Sequence, residues 1–415
     1  MRILHTADWH LGHTLHDLSR EYEHAQFLNW LLKVLKDERV DALIIAGDIF
    51  DSANPPAAAQ RMWYDFLVAA VRSMEQLQIV VVGGNHDSAE RLDAPDQLLR
   101  AFKIRVIGGV PRAGSAVDYT QMLVELQDRH GTPRAIVAAV PFLRPADLPI
   151  IESTIEVPLV AAIRRIYEQT IAAGRASAGG KLALIATGHC YMTGGEISKL
   201  SERKIQCGNQ HAIPVDVFPQ DLAYVALGHL HRPQCVGGRQ SVRYSGSPIP
   251  LSMDEAAYQH GVCIVELQGT RAEITALEIP RSVELLKIPA KPLPLDHVLV
   301  DVGTLKSRSE VPNADLWPFV EVQVEVSRYE PSLRAQIDGA LSEKAARLVK
   351  LTSFSKGPGG SLADAQPAQS LSTLDPEAVF ELCYKRRYDR EPGQPLREAF
   401  RALLEKAQHN EEAGA

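Results

Sequence analysis

Short, uninterrupted apolar runs recur along the first two thirds of the chain, separated by stretches of helical periodicity. Five stand out: Ile3-Leu4, residues 42–46, residues 79–82, residues 182–186 and residues 224–227. Apolar runs this short, with no polar alternation, predict strands covered on both faces. Between them, residues 20–37 predict an amphipathic helix with Phe27, Leu28, Leu31 and Leu35 on one side. Residues 56–76 predict another, with Met62, Phe66, Ala70 and Met74 as its stripe. Both stripes read as core, and the alternation of elements predicts an α/β sheet protein.

The pattern changes after Pro280. Residues 283–288, 319–326 and 347–352 predict strands, and residues 295–305 and 332–344 predict helices, which together make a small α+β domain. Residues 355–372 are rich in Gly, Ser, Pro and Ala and predict a linker. Two further helices are predicted beyond it. One starts at Asp375-Pro376 and carries Val379, Phe380 and Cys383 on one side. The other starts near Pro395, with Leu396, Phe400, Leu403 and Leu404 as its stripe. The expected divisions are therefore 1–280, 281–354, a linker over 355–372, and C-terminal helices over 373–410.

With 415 residues, 45% hydrophobic and 23% charged, the chain is an ordinary globular one. No apolar run approaches the roughly 20 residues needed to cross a bilayer. The candidate chemistry begins at Asp8 and leaves no room for a leader, so the expected compartment is the cytoplasm. Five cysteines without a C-x-x-C pair argue against a disulfide framework or a structural zinc site. Cys190 follows His189 directly, but a small buried residue is the better reading. The net charge of −7 argues against a basic nucleic-acid footprint over the whole chain, though not against a local one.

Chemistry enters at the ends of the five runs. Each is followed by a short polar motif: Asp8-Trp9-His10, Gly47-Asp48-Ile49-Phe50-Asp51, Gly84-Asn85-His86-Asp87, Gly188-His189, and Gly228-His229-Leu230-His231. Any one of these is common, but the five in order, each behind a strand, would bring O and N donors together at strand ends. The set matches what two divalent ions need to hydrolyse a phosphodiester: ligands for both, and a carboxylate between them, for which Asp48 is the candidate. Asp8 and His10, two apart, share a site only if they lie in a loop past the strand end. The carboxylates of Asp8 and Asp48, with a bridging hydroxide, would leave a small positive charge on two divalent ions. That suits a monoanionic diester and outweighs the acidic chain locally. Carboxylate, amide and imidazole together suit Mn²⁺, Fe or Zn²⁺ better than Mg²⁺. His86, beside Asn85, is placed to protonate a leaving oxygen, while Asp51 and Asp87 are placed to fix histidine tautomers from behind. The nine other histidines, His5, His13, His24 and His260 among them, read as surface or core. Lys385, Arg386 and Arg387 read as a solvated helix face.

These motifs resemble those of the calcineurin-like metallophosphoesterases, and the longer strings resemble the SbcD family, the nuclease subunits of bacterial SbcCD complexes. The strings are residues 5–12 (HTADWHLG), 46–51 (AGDIFD), 141–145 (PFLRP), 185–189 (IATGH), 226–232 (ALGHLHR) and 244–252 (YSGSPIPLS). The likeness covers residues 1–280 strongly and the remainder more loosely, in the right order. It implies a four-layer αββα sandwich followed by a small capping domain. It also implies one ion on Asp8, His10, Asp48 and His231, and a second on Asp48, Asn85, His189 and His229, with Mn²⁺ as the metal. His86 would be the transition-state or leaving-group histidine. The implied activity is ATP-dependent 3′→5′ degradation of double-stranded DNA ends, with cleavage of hairpins and single strands, in DNA repair, recombination and replication. The implied partner is the SMC-like ATPase SbcC, in a complex with two copies of each protein, so that the chain itself would be a homodimer. The C-terminal helices would dock on the ATPase's coiled-coil base. Archaeal and eukaryotic relatives usually carry a histidine where Asp51 stands, so a role for that histidine does not carry over.

Other readings are open to the same site: a nucleotide phosphodiesterase, a phosphoprotein phosphatase, or a phosphoesterase fold kept as a non-catalytic scaffold. The small domain, linker and docking helices favour the nuclease, and the full ligand set with His86 disfavours the scaffold.

Overall fold

A computed structural model describes residues 1–150, 157–196, 212–326 and 330–355, together with Phe380, Tyr384, Gly393, Leu396 and Phe400. The main elements in chain order are β1 (Arg2–Thr6), α1 (Glu21–Asp37), β2 (Ala42–Ala46), α2 (Ala57–Ser73), β3 (Gln78–Val82), α3 (Ala89–Asp93), α4 (Asp96–Arg100) and β4 (Ile104–Ile107). They continue with β5 (Leu123–Gln127), β6 (Pro133–Val140), α5 (Pro158–Ala178), β7 (Ala183–His189), β8 (Tyr224–Gly228), β9 (Gln234–Val236), β10 (Arg239–Tyr244), β11 (Gly261–Gln268) and β12 (Arg271–Glu278). The last are β13 (Leu285–Pro294), α6 (Leu295–Gly303), β14 (Phe319–Val326), α7 (Leu333–Leu341) and β15 (Arg347–Ser355).

Two six-stranded sheets form, ordered β12-β11-β1-β2-β3-β4 and β9-β10-β8-β7-β6-β5. In the first, β1 to β4 run parallel in sequence, while in the second β6, β7, β8 and β10 are parallel neighbours. Alternation along each strand divides the core into layers. Ile3, Ala42, Ile44, Ala46, Val80 and Val82 join the residues of the second sheet. Leu4, Leu43, Ile45, Ile79 and Val81 face the other way, onto Phe27, Leu31, Leu35, Trp63 and Phe66 of α1 and α2. Ile163, Ile166, Tyr167 and Ile171 of α5 cover the second sheet. The result is the four-layer αββα sandwich.

The predicted stripe on α1 is buried as expected, whereas that on α2 is rotated. Trp63 and Leu67 join Phe66 and Ala70 in the core, while Met62 and Met74 are half-buried at its margin. Trp9 sets this rotation, because its ring packs edge-on against Phe27, Trp63 and Phe66.

The small domain is a three-stranded sheet, β13-β14-β15, with α6 and α7. The strand predicted over 283–288 runs on to Pro294 through an irregularity between Ile288 and Leu293. The helix predicted to 344 stops at Leu341, since Lys344 turns back to donate to the Leu305 carbonyl at 2.9 Å. The domain's core is Val298, Val302, Val320, Val322, Val324 and Ile337. The domain packs on the sandwich through a second cluster of Leu15, Met253, Val283, Leu285 and Phe319, so that Met1–Phe354 form one compact unit. Arg20 from the sandwich and Arg347 from the small domain both stack on the Phe319 ring, at 4.9 and 3.8 Å from its centroid.

The second unit is Ser355–Ala415. Past Ser355, the expected linker lies outside the described residues. Phe380 and Phe400, one from each predicted helix, stack with centroids 4.3 Å apart and rings 8° from parallel. The two predicted stripes therefore meet at this point.

Candidate metal centre

The five motifs converge at the C-terminal ends of β1, β2, β3, β7 and β8. Beyond β1 and β2 the two chains stay side by side: Asp8 N–H donates to Gly47 O and His10 N–H to Asp48 O, both at 3.0 Å. Continuing pairing would normally alternate the side chains, but Asp8, His10 and Asp48 have φ of 55°, 47° and 51°. This left-handed backbone swings all three toward one point, and His229 (φ 107°) behaves alike. Such conformations are costly for residues with a Cβ and persist where the surroundings enforce them. Two glycines make room: a Cβ on Gly84 would strike the Asp48 carboxylate, and one on Gly47 the His189 ring.

Asp48 is central. Its Oδ2 lies 3.5 Å from His10 Nε2 and 3.3 Å from His189 Nε2, while its Oδ1 accepts the His86 N–H at 2.8 Å. Around it, ligand atoms of Asp8, His10 and His231 lie within 4.8 Å of one another. The same holds for Asp8, Asp48 and His189, and for His10, Asp48 and His86. On the other side, Asn85 Oδ1 lies 2.9 Å from both His189 Nε2 and His229 Nδ1. The Asp8 carboxylate accepts the His229 N–H at 2.9 Å.

The rings are held from behind, which fixes the nitrogen that faces inward. His189 Nδ1 donates to Ala46 O at 2.9 Å, His231 Nδ1 to Glu255 Oε1 at 2.9 Å, and His10 Nδ1 to Asp51 Oδ1 at 3.2 Å. His86 Nδ1 donates to Asp51 O at 2.8 Å, and its ring sits edge-on to His10 at 4.7 Å. His10 Nε2 is buried without a hydrogen-bond partner. A buried polar atom left so is costly and marks a place for a ligand. Nearby, His189 Nε2 lies between Asn85 Oδ1 at 2.9 Å and Asp48 Oδ2 at 3.3 Å. The residues fit a pair of divalent cations.

Electrostatics agree with that fit. Burial pushes His10 down to about 4 and His229 down to about 3, so both are neutral with lone pairs available. Burial raises Asp8 to about 7. Asp48 is equally buried, but His189 beside it holds its carboxyl well below the usual range. Burial opposes charge on His189, yet Asp48 and Asp8 lift it to about 9. In the protein alone, protons therefore occupy sites that bound cations would claim.

Asp51 faces His10 and His13. Burial would raise it, but His10 and His13 hold it far below the carboxylate range. Asp87 does something else. Its oxygens accept backbone N–H groups of Ile49 (3.2 Å), Phe50 (3.0 Å) and Gly84 (2.9 Å), tying the second motif to the third rather than fixing an imidazole. Sequence reasoning missed three residues. Glu255, wholly buried, backs His231 from 24 positions away and lies in a short turn that periodicity does not flag. His13 places Nδ1 3.0 Å from Asp51 and Nε2 3.0 Å from Leu251 O. Arg144 donates to the Asp87 carbonyl at 2.8 Å; the string around it, residues 141–145, was the available signal. Cys190 is buried, and burial lifts its thiol to about 12, as suits a packing residue.

Residues 1–233 match the family model described as calcineurin-like phosphoesterase, and residues 281–388 match the one described as type 5 capsule protein repressor C-terminal domain. Similar curated proteins share one name, that of the D subunit of the nuclease SbcCD. The Rhodobacter capsulatus protein is 43% identical over 92% of this chain and 94% of its own length. That of Escherichia coli K12 is 34% identical over 92% of each, and that of Bacillus subtilis 38% identical over 64% of this chain and 66% of its own. Strand-end donors, a carboxylate shared between two clusters and this likeness agree: the chain belongs to the calcineurin-like phosphoesterases, in the SbcD family of SbcCD nuclease subunits.

Proposed function

We propose that this chain hydrolyses DNA phosphodiester bonds with two divalent metal ions, as the nuclease subunit of an SbcCD-type complex. The observation that carries the reading is the position of Asp48 Oδ2, within 3.5 Å of His10 Nε2 and 3.3 Å of His189 Nε2. Asp8, His10, Asp48 and His231 would hold one ion, and Asp48, Asn85, His189 and His229 the other, with Mn²⁺ as the metal assigned. Bound there, the ions supply Lewis acidity to the phosphate and acidify a water. The protein's own part is to fix the donors and manage a proton. His86 Nδ1 donates to the Asp51 carbonyl, so that Nε2 would give a proton to the departing oxygen from the imidazolium form. Asp51, Glu255 and the Ala46 carbonyl hold three imidazoles in the required tautomer. Asp87 fixes the loop that carries Asn85 and His86.

The activities assigned are 3′→5′ exonuclease on duplex ends and endonuclease on hairpins and single strands, serving repair, recombination and replication. The partner assigned is the SbcC ATPase, received by the C-terminal helices. A second copy of this chain is the other partner assigned.

The test of function is Mn²⁺-dependent cleavage of a hairpin-ended DNA by the purified protein, beside Asp48→Asn. Cleavage by wild type alone supports the reading. If wild type hydrolyses an aryl phosphodiester yet cuts no DNA, even with the ATPase present, a small-substrate phosphodiesterase is favoured instead.

A further inference from the structure

We infer that Arg144 binds a DNA phosphate flanking the scissile one and so positions the strand on the metal centre. The inference rests on the nuclease reading above. Three features of the guanidinium point the same way. First, it is fixed. The Arg144 backbone N–H donates to Asp147 Oδ2 at 2.9 Å in a capped turn, and one terminal nitrogen donates to the Asp87 carbonyl at 2.8 Å. Second, it is beside the chemistry. Asp87 adjoins His86, and the guanidinium lies 5.7 Å from the Phe142 ring, whose edge packs on the His189 ring at 6.1 Å. Arg144 is thus braced between the Asn85-His86-Asp87 loop and the end of β7.

Third, its charge is not neutralised. Several other arginines of the sandwich are held by acids, Arg105 by Asp96, Arg129 by Asp41, Arg175 by Asp221 and Arg232 by Glu196, while Arg239 and Arg281, away from the metal centre, bond to carbonyls as Arg144 does. Among the described residues no carboxylate pairs with Arg144. A half-buried guanidinium held by one neutral carbonyl keeps N–H donors that a monoanionic, fork-matching group would satisfy. A DNA phosphate is such a group. A small aryl phosphodiester fills the metal centre but has no flanking phosphate, so the two substrates separate this role from a structural one.

The experiment compares wild type, Arg144→Ala and Arg144→Lys, as full chains with Mn²⁺, on a hairpin DNA and on bis(p-nitrophenyl) phosphate. With Arg144→Ala, KM for DNA should rise about tenfold, the scale of a lost charge-assisted hydrogen bond. Its kcat should stay within about twofold, and the salt slope of DNA binding should fall by about 1. Aryl diester kinetics should be unchanged, and Arg144→Lys should recover part of the loss. A parallel fall on both substrates would overturn the proposal by showing that Arg144 only braces the Asp87 loop. So would an unchanged KM for DNA. If wild type itself cuts only the aryl diester, even with the ATPase present, it is the nuclease reading that has failed, and this inference with it.

Discussion

In the sandwich, the most deeply buried strands end in polar residues that are themselves buried: Asp8, His10, Asp48, Asp87, His189 and His231. The small domain packed against it closes over Val298, Val302, Val320, Val322 and Val324. Burying a polar group is costly unless it is partnered. The sandwich meets that condition at the ligand histidines with backbone carbonyls, Asp51 and Glu255, and leaves His10 Nε2, like His5 Nε2 and His24 Nδ1 elsewhere, without a partner; at His10 a cation would sit. The small domain buries little that can react. Its influence on the centre is positional. Met253 shares a core with Leu285 and Phe319, Asp254 pairs with Lys287 at 3.0 Å, and Glu255, next in line, backs His231. Chemistry is thus concentrated at one end of one pair of sheets, and the added domain steadies a neighbour of a ligand.

The largest effect should come from the shared carboxylate. Asp48→Asn should lower hydrolysis of both DNA and aryl diester by at least about 10³-fold, read as initial rates with saturating Mn²⁺. Next is the link between the two regions: Glu255→Ala should reduce metal affinity or activity by about 10–100-fold, the usual scale for an outer partner of a ligating histidine. Metal titrations would show it, and a wild-type affinity would sever the proposed link.

A smaller, diagnostic effect is proton release. His189 is lifted to about 9 and Asp8 to about 7 in the protein alone, and cations require both deprotonated. Binding should therefore expel protons, more at pH 6 than at pH 8, so that affinity rises with pH. Calorimetry in buffers of different ionisation enthalpy measures this, and equal release at both pH values would contradict it. Acid should also weaken the sandwich selectively. Burial depresses His5 and His24 to about 3. These folded-state values lie below the unfolded one, so the unfolded chain binds protons first as pH falls below about 6.5. Stability should then drop by about 2 kcal/mol per histidine at pH 5, and denaturant melts of wild type and His24→Gln would show it. The least effect on chemistry is expected from the valine core: Val322→Ala should cost about 1–3 kcal/mol of stability and leave aryl diester kcat within about twofold.

The strands and the convergence of the five motifs were legible because buried strands leave uninterrupted apolar runs and the motifs lie at their ends. The small domain's β14 was legible through its alternation over 319–326. What was not legible depends on distant contacts. Left-handed backbone at Asp8, His10 and Asp48 follows from two loops running side by side. The turn bearing Glu255 is held by a core shared with the small domain. Asp87, two residues from Asn85, looked like a partner for an imidazole, but its oxygens meet the N–H groups of a different motif. The rotation of α2 was set by Trp9, which sits inside the first metal motif and would not be counted among helix contacts.

The central claim is that one carboxylate organises two ions. Its most direct test is Mn²⁺ stoichiometry, by metal analysis and calorimetric titration of wild type and Asp48→Asn. The account predicts two ions per wild-type chain and at most one in the variant. A single ion in wild type, or two retained after Asp48→Asn, would contradict it.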